Sequence, residues 1–261
     1  MKKSRIVIAV LIALMLLSTA VQAADNFAWV RLSKGKVWVK SAESKYWFKP
    51  KIGMALKEND VIKTHKNSWI TIAYENSSLV RIAPSSEVKI TKVDYDRKKQ
   101  SLESKIKIFG LGKIIAAVKK LGKGSSNMDV ETPTAVAGVR GTEFMVDVPD
   151  KDTSIVAVFG GKVIVKDFVT EAGLSEDDMG MMMDLLHEVA LGDGQYTIYK
   201  KDKGFSRSKK LEEKYKEDKK LAGKLDKEAL VLAKELAKED FEKRSKKSEE
   251  VRETAIKDQI K

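Results

Sequence analysis

The chain has 261 residues, 43% of them hydrophobic and 34% charged, with a formal net charge of +12 and no cysteine. That length allows one or two domains. The hydrophobic share can build a core, whereas the charged share requires some heavily solvated segment. The lack of cysteine excludes disulfides, thiolate metal sites, cysteine nucleophiles and a lipidated N-terminal cysteine. The basic excess is dispersed among acids, with no compact Lys/Arg cluster interleaved with aromatics, so nucleic acid is not an expected partner.

Residues 1–23 read as a secretory signal peptide. Lys2, Lys3 and Arg5 form a charged start, Ile6 to Leu17 a short apolar run, and Val21-Gln22-Ala23 a small-residue cleavage site near Ala23. The run is shorter than the ~20 apolar residues of a spanning helix. The remainder is therefore expected in a periplasm or outside the cell, with no transmembrane helix after cleavage and a charge of +9.

Residues 26–91 carry short apolar runs separated by breakers, which argues all-β. Val37 and Val39 alternate with Lys36 and Trp38. Lys49-Pro50 and Gly53 interrupt, and Glu75-Asn76-Ser77-Ser78 predicts a hairpin between Ile70–Ile72 and Leu79–Ile82. A glycine–lysine–apolar pattern recurs at Gly35-Lys36-Val37, Gly112-Lys113-Ile114 and Gly161-Lys162-Val163, without a strict period. Ile114 to Leu121 is open between a strand and a short helix, and Gly122 to Asn127 reads as a loop.

The chain then reaches its most distinctive stretch. Thr132-Pro133 opens it, small apolar residues follow, and Arg140 stands between Gly138 and Gly141. Pro133 biases Thr132 toward extended backbone. From Thr142 a strand follows, with Phe144, Val146 and Val148 on one face. The expected signature is strand, tight glycine–arginine–glycine corner, strand.

Thr132-Pro133, Val139-Arg140-Gly141-Thr142 and Phe144 resemble the FecR-like domain family. Gly53-Met54-Ala55-Leu56, Asp60 to Thr64, Gly160 to Val165 and Leu191 to Gln195 extend the resemblance over roughly residues 28–202. The resemblance implies an extracytoplasmic β module, a rolled or β-helical stack of short strands, and it favours a strand through Val118. The best-known members are single-span regulators that hold a sigma factor and sense an outer-membrane transporter. No cytoplasmic sigma-binding segment or internal span is read ahead of the β module, so that role transfers only in part.

Two helical segments complete the prediction. Ser175 caps a short helical insertion at about 171–188, on which Met179, Met183 and His187 share a face. That face suits Cu(I), but methionine packing against the module is the expected reading. Residues 205–261 form a charged arm. Leu211, Tyr215, Ala222, Leu225, Ala229, Leu232 and Leu236 recur at helical spacing, predicting one long amphipathic helix that caps an open end of the stack, with the chain after Phe241 fraying and free. Lys214, Asp218 and Lys224 break a clean heptad, which weakens pairing with another copy.

Catalysis has little material. His65 and His187 are the only histidines, His187-Glu188 lacks the second histidine of a zinc-protease helix, and neither a nucleophile elbow nor a phosphate loop occurs. Arg140 is the one distinctive polar residue: it grips a partner's carboxylate, or it bonds neighbouring carbonyls and holds the corner closed, the second being expected. The sequence thus predicts an exported, non-enzymatic module with no cofactor or metal, acting in periplasmic protein interaction or envelope sensing through an envelope protein partner. The alternative is an envelope structural protein whose basic charge and four tryptophans (Trp29, Trp38, Trp47, Trp69) bind cell-wall glycan or lipid surfaces.

Overall fold

The structure is a computed structural model and describes residues 28–119, 126–167, 188–239 and 241–259. It is mainly β, with two helices near the C-terminus. Among the described residues, nineteen strands form two open sheets. Sheet 1 runs β18 (Gly204–Phe205), β17 (Gln195–Lys200), β14 (Thr153–Gly160), β13 (Glu143–Asp150), β10 (Gly112–Ala117), β7 (Leu79–Ile82), β6 (Trp69–Ala73), β1 (Ala28–Lys34), β4 (Ala55–Leu56), with β19 (Lys209–Lys210) also on β17. Sheet 2 runs β16 (Glu188–Leu191), β15 (Val163–Asp167), β12 (Ala135–Val139), β11 (Asn127–Glu131), β9 (Ser101–Ile108), β8 (Glu87–Asp96), β5 (Val61–Thr64), β2 (Val37–Lys40), β3 (Trp47–Phe48). Every pairing is antiparallel except β11 with β9, which are parallel because the chain visits β10 in the other sheet between them.

Period-two alternation sends one face of each sheet inward. Val30, Ile72, Val80, Ile114 and Phe144 from sheet 1 meet Val39, Ile62, Ile90, Ile106 and Val130 from sheet 2 in one buried core. The predicted hairpin forms: β6 and β7 pair with Ala73 opposite Leu79, and Ser77 takes the positive φ of the turn. The strand expected from Ile114 is β10, and Phe144, Val146 and Val148 face the core as predicted.

The recurring glycine–lysine pattern has a structural meaning. Each copy stands where the chain passes from one sheet to the other: β1 to β2, β9 to β10, β14 to β15. The corners are crowded. A Cβ on Gly35 would lie 2.4 Å from Ser68 Oγ, and one on Gly161 2.8 Å from Thr142 Oγ1. Both glycines also have positive φ, which side chains resist.

The arm departs from expectation. Its first helix, α1 (Lys216–Leu236), does not cap an edge but lies across the outer face of sheet 1. Ala222, Leu225, Ala229 and Leu232 meet Leu79, Ile115, Ala117, Met145 and Ala157. The small residues on both sides let helix and sheet approach closely. Lys113, between Asp147 at 3.0 Å and Asp218 at 3.2 Å, ties the layers together, as does the Lys119–Asp226 pair.

The chain after Phe241 is not free. It forms a second helix, α2 (Phe241–Lys257), along β4, the terminal strand of sheet 1. Ala255 enters the core between the sheets. Arg252 is buried and grips the fully buried Asp60 with both arms, at 2.5 and 2.9 Å, while bonding Ala55 C=O and Ser41 Oγ. Arg244 binds Glu75 in the same two-pronged way, at 3.1 and 2.6 Å. These bonds supply the holding that the weakly apolar helix lacks. The signal was present in the sequence: arginines at i and i+8, on one face, within a lysine-rich run. The helical insertion at 171–188 falls almost entirely outside the described residues, of which only Glu188 belongs to it, as the first residue of β16.

Candidate interaction site

The distinctive stretch splits into residues that build the turn and residues that face outward. Thr132 belongs to the first group. Its hydroxyl accepts from Ala135 N–H at 2.8 Å and from Ser154 Oγ at 2.7 Å, and donates to Ala135 C=O at 2.8 Å. Thr134 Oγ1 lies 2.6 Å from the same Ser154 Oγ. All three side chains are buried, so the cluster satisfies backbone groups that water cannot reach. No histidine or carboxylate joins it among the described residues, which leaves these hydroxyls a structural task.

The corner beyond β12 is held by Gly141, at φ +61°, and Thr142, whose hydroxyl donates to Lys162 C=O at 2.9 Å and Arg140 C=O at 3.2 Å. Gly161 packs against both. Phe144 is fully buried in the core just beyond.

Arg140 does not take the structural part expected of it. Its side chain is exposed and makes no hydrogen bond or ion pair among the described residues. The physical reason is that Thr142 already satisfies the corner's carbonyls, leaving the guanidinium nothing to bond. Pro133 is exposed too, and Gly138 is half-exposed within β12. Gly138 has ordinary strand backbone, and a Cβ there would meet nothing closer than 3.7 Å. Neither the fold nor the backbone therefore demands glycine at this position.

Arg140 and Gly138 border a groove of about 780 Å³ on the solvent face of sheet 2. Val136, the bare Gly138 backbone and Ile164, 43% exposed, form its floor. Asp129, held by Lys105 at 3.7 Å, and Lys166, held by Glu188 at 3.2 Å, stand on its walls. Arg140 and Lys162 are the cations on its rim without an ion-pair partner among the described residues. Chemically the groove offers an apolar strip for a side chain, with a two-pronged donor beside it for a carboxylate.

The structure places Thr132 in the turn before β12 and brings Gly138, Arg140, Gly141 and Thr142 together at its other end, with Phe144 just beyond. Sequence reasoning missed Ile164 and Lys162, which reach the groove from β15 and its corner; only strand register shows them. The Met179, Met183 and His187 face lies outside the described residues. Among the described residues, no group of three or more His, Asp or Glu side chains is placed to hold a metal ion, and no helix is long and apolar enough to cross a membrane.

Residues 60–164 match the model of the family described as FecR protein. Two crystal structures of a protein provisionally described as an anti-sigma factor, from Parabacteroides distasonis ATCC 8503, are similar at 14% and 15% identity, each with a TM-score of 0.40. Each alignment covers 58% of this chain and 60% of that one, so the likeness spans under two thirds of its length. No curated protein matches. The segment from Asp60 to Ile164, with the Thr132 turn and the glycine corner inside it, is thus the part of this chain that matches the FecR family.

Proposed function

We propose that this chain is an exported, non-enzymatic FecR-like module that works by protein interaction in envelope signalling, receiving its partner in the groove beside Arg140. One observation carries the reading: an exposed arginine, without a partner among the described residues, stands on a corner that its neighbours already hold closed. The family match and the leader-like residues 1–23 support a place in the periplasm or outside the cell. The passage of the chain from sheet to sheet at successive glycine corners supports the rolled arrangement that the resemblance implies.

The test replaces Ile164 with a photo-crosslinking amino acid in intact cells, with and without Arg140→Ala. The expected result is a discrete crosslinked protein that disappears in Arg140→Ala while that variant melts like the parent. Crosslinks that persist in both Arg140→Ala and Arg140→Glu would overturn the assignment of the groove.

A further inference from the structure

From the walls of that groove outward, the outer face of sheet 2 is an ordered ladder of ion pairs. Lys166 meets Glu188, Lys107 meets Glu131, Lys105 meets Asp129, Lys92 meets Glu103 and Lys63 meets Glu87. At the β2–β3 edge the pattern fails. Residues 34–51 contain six lysines and one acid, Glu43. Of the six, only Lys51 has an ion-pair partner among the described residues, Asp258 at 2.6 Å. The sequence leads one to expect no cluster of lysines interleaved with aromatics, yet Trp38, Tyr46 and Trp47 stand among these.

Strand register arranges them. Trp47 lies opposite Lys40, and Trp38 opposite Lys63, so the two indoles are diagonal neighbours across β2 and β3. Lys49 Nζ sits 5.9 Å from the Trp38 ring centroid and Lys63 Nζ 6.0 Å from that of Trp47. Lys63 is also held by Glu87, but Lys49, at the outer limit of a cation–π contact and with no ion-pair partner among the described residues, is readily drawn off by an anion. Both indoles are half-buried and neither makes a hydrogen bond among the described residues. Tyr46, 64% exposed, adds a third ring.

We propose that this edge binds an anionic polysaccharide, its acid groups on Lys40, Lys45 and Lys49 and its sugar faces and hydroxyls on Trp38 and Trp47. Charge complementarity selects an anion. The ring faces and free indole N–H donors select a ligand that presents apolar faces and hydroxyls together, which an acidic peptide does not. β3 is two residues long and runs into Pro50, a poor edge for a partner's strand to extend. The indoles lie within the sheet rather than on a projecting tip, which suits a chain laid across them better than insertion into a bilayer. The proposal is independent of the Arg140 groove, and Arg140→Ala leaves it unaffected.

The experiment titrates the full chain with polygalacturonate, following tryptophan fluorescence, with dextran, poly-glutamate and phosphatidylglycerol vesicles in parallel. The expected result is salt-sensitive binding of polygalacturonate and none of dextran, weakened about tenfold or more by Lys40→Gln with Lys49→Gln. Trp38→Leu weakens it as well, while Lys92→Gln, from the paired ladder, leaves it unchanged. Circular dichroism melts of the lysine variants confirm that folding is intact. Absence of polygalacturonate binding, equal or tighter binding of poly-glutamate or vesicles, or indifference to the lysine pair would overturn the proposal.

Discussion

At the scale of single residues, the glycines of the segment that matches the FecR family divide into two kinds that the sequence does not distinguish. Gly161→Ala forces a side chain onto backbone at φ +101°, 2.8 Å from Thr142 Oγ1. The backbone conformation alone costs ~1–3 kcal/mol, so a large drop in melting temperature is expected. Gly138→Ala, on ordinary backbone with room for a methyl, should leave stability within about 1 kcal/mol, on the stabilising side. It would still narrow the groove floor, so crosslinking at Ile164 should fall in a protein that melts no lower than the parent. Thr132→Val strands Ala135 N–H in the interior and should cost ~1–3 kcal/mol by denaturant titration. Arg140→Ala should be neutral to within about 0.5 kcal/mol. That reverses the expectation formed from a lone arginine among glycines. Sequence shows that a corner needs holding; only coordinates show that Thr142 holds it.

Among elements, the two helices were unequally legible for a physical reason. The stripe from Leu211 to Leu236, five of whose residues lie on α1, was visible because burial against a sheet face requires apolar residues at helical spacing, and all seven stripe residues pack there. Helix α2 was less legible, because its attachment is made by charge and its trace in the sequence is two arginines eight residues apart. Breaking a buried ion pair by removing one partner costs ~3–5 kcal/mol. Arg252→Met should therefore destabilise strongly, and Arg252→Lys should rescue little, since an ammonium cannot reproduce the fork that spans Asp60, Ala55 and Ser41. Thermal melts of both variants check this. The α1 interface carries a pH signature. Burial first, and Asp218 with it, raises the Asp147 carboxyl above its usual range despite Lys113. Burial and then Asp226 raise Glu143 likewise. A carboxyl that holds its proton more tightly folded than unfolded favours the folded state as pH falls through the raised value toward the ordinary 3.8 or 4.5. Mild acidification from neutrality should thus raise the melting temperature, and Asp147→Asn with Glu143→Gln should flatten that rise.

For the molecule as a whole, one pair of contacts has a temporal meaning. Arg252 meets Asp60 across 192 positions of chain, and Arg244 meets Glu75 across 169. A ribosome delivers the carboxylates early and the guanidinium groups last. Until the final helix emerges, the opening strands hold two acids destined for an apolar interior with nothing to neutralise them, and burying either alone is strongly unfavourable. A nascent chain halted before residue 241 should accordingly be cut by protease within residues 55–75 much faster than the finished protein. Such wide loop closures also slow folding. The two arginines thus act as a late latch, leaving the β module open to unfolding until α2 has been made.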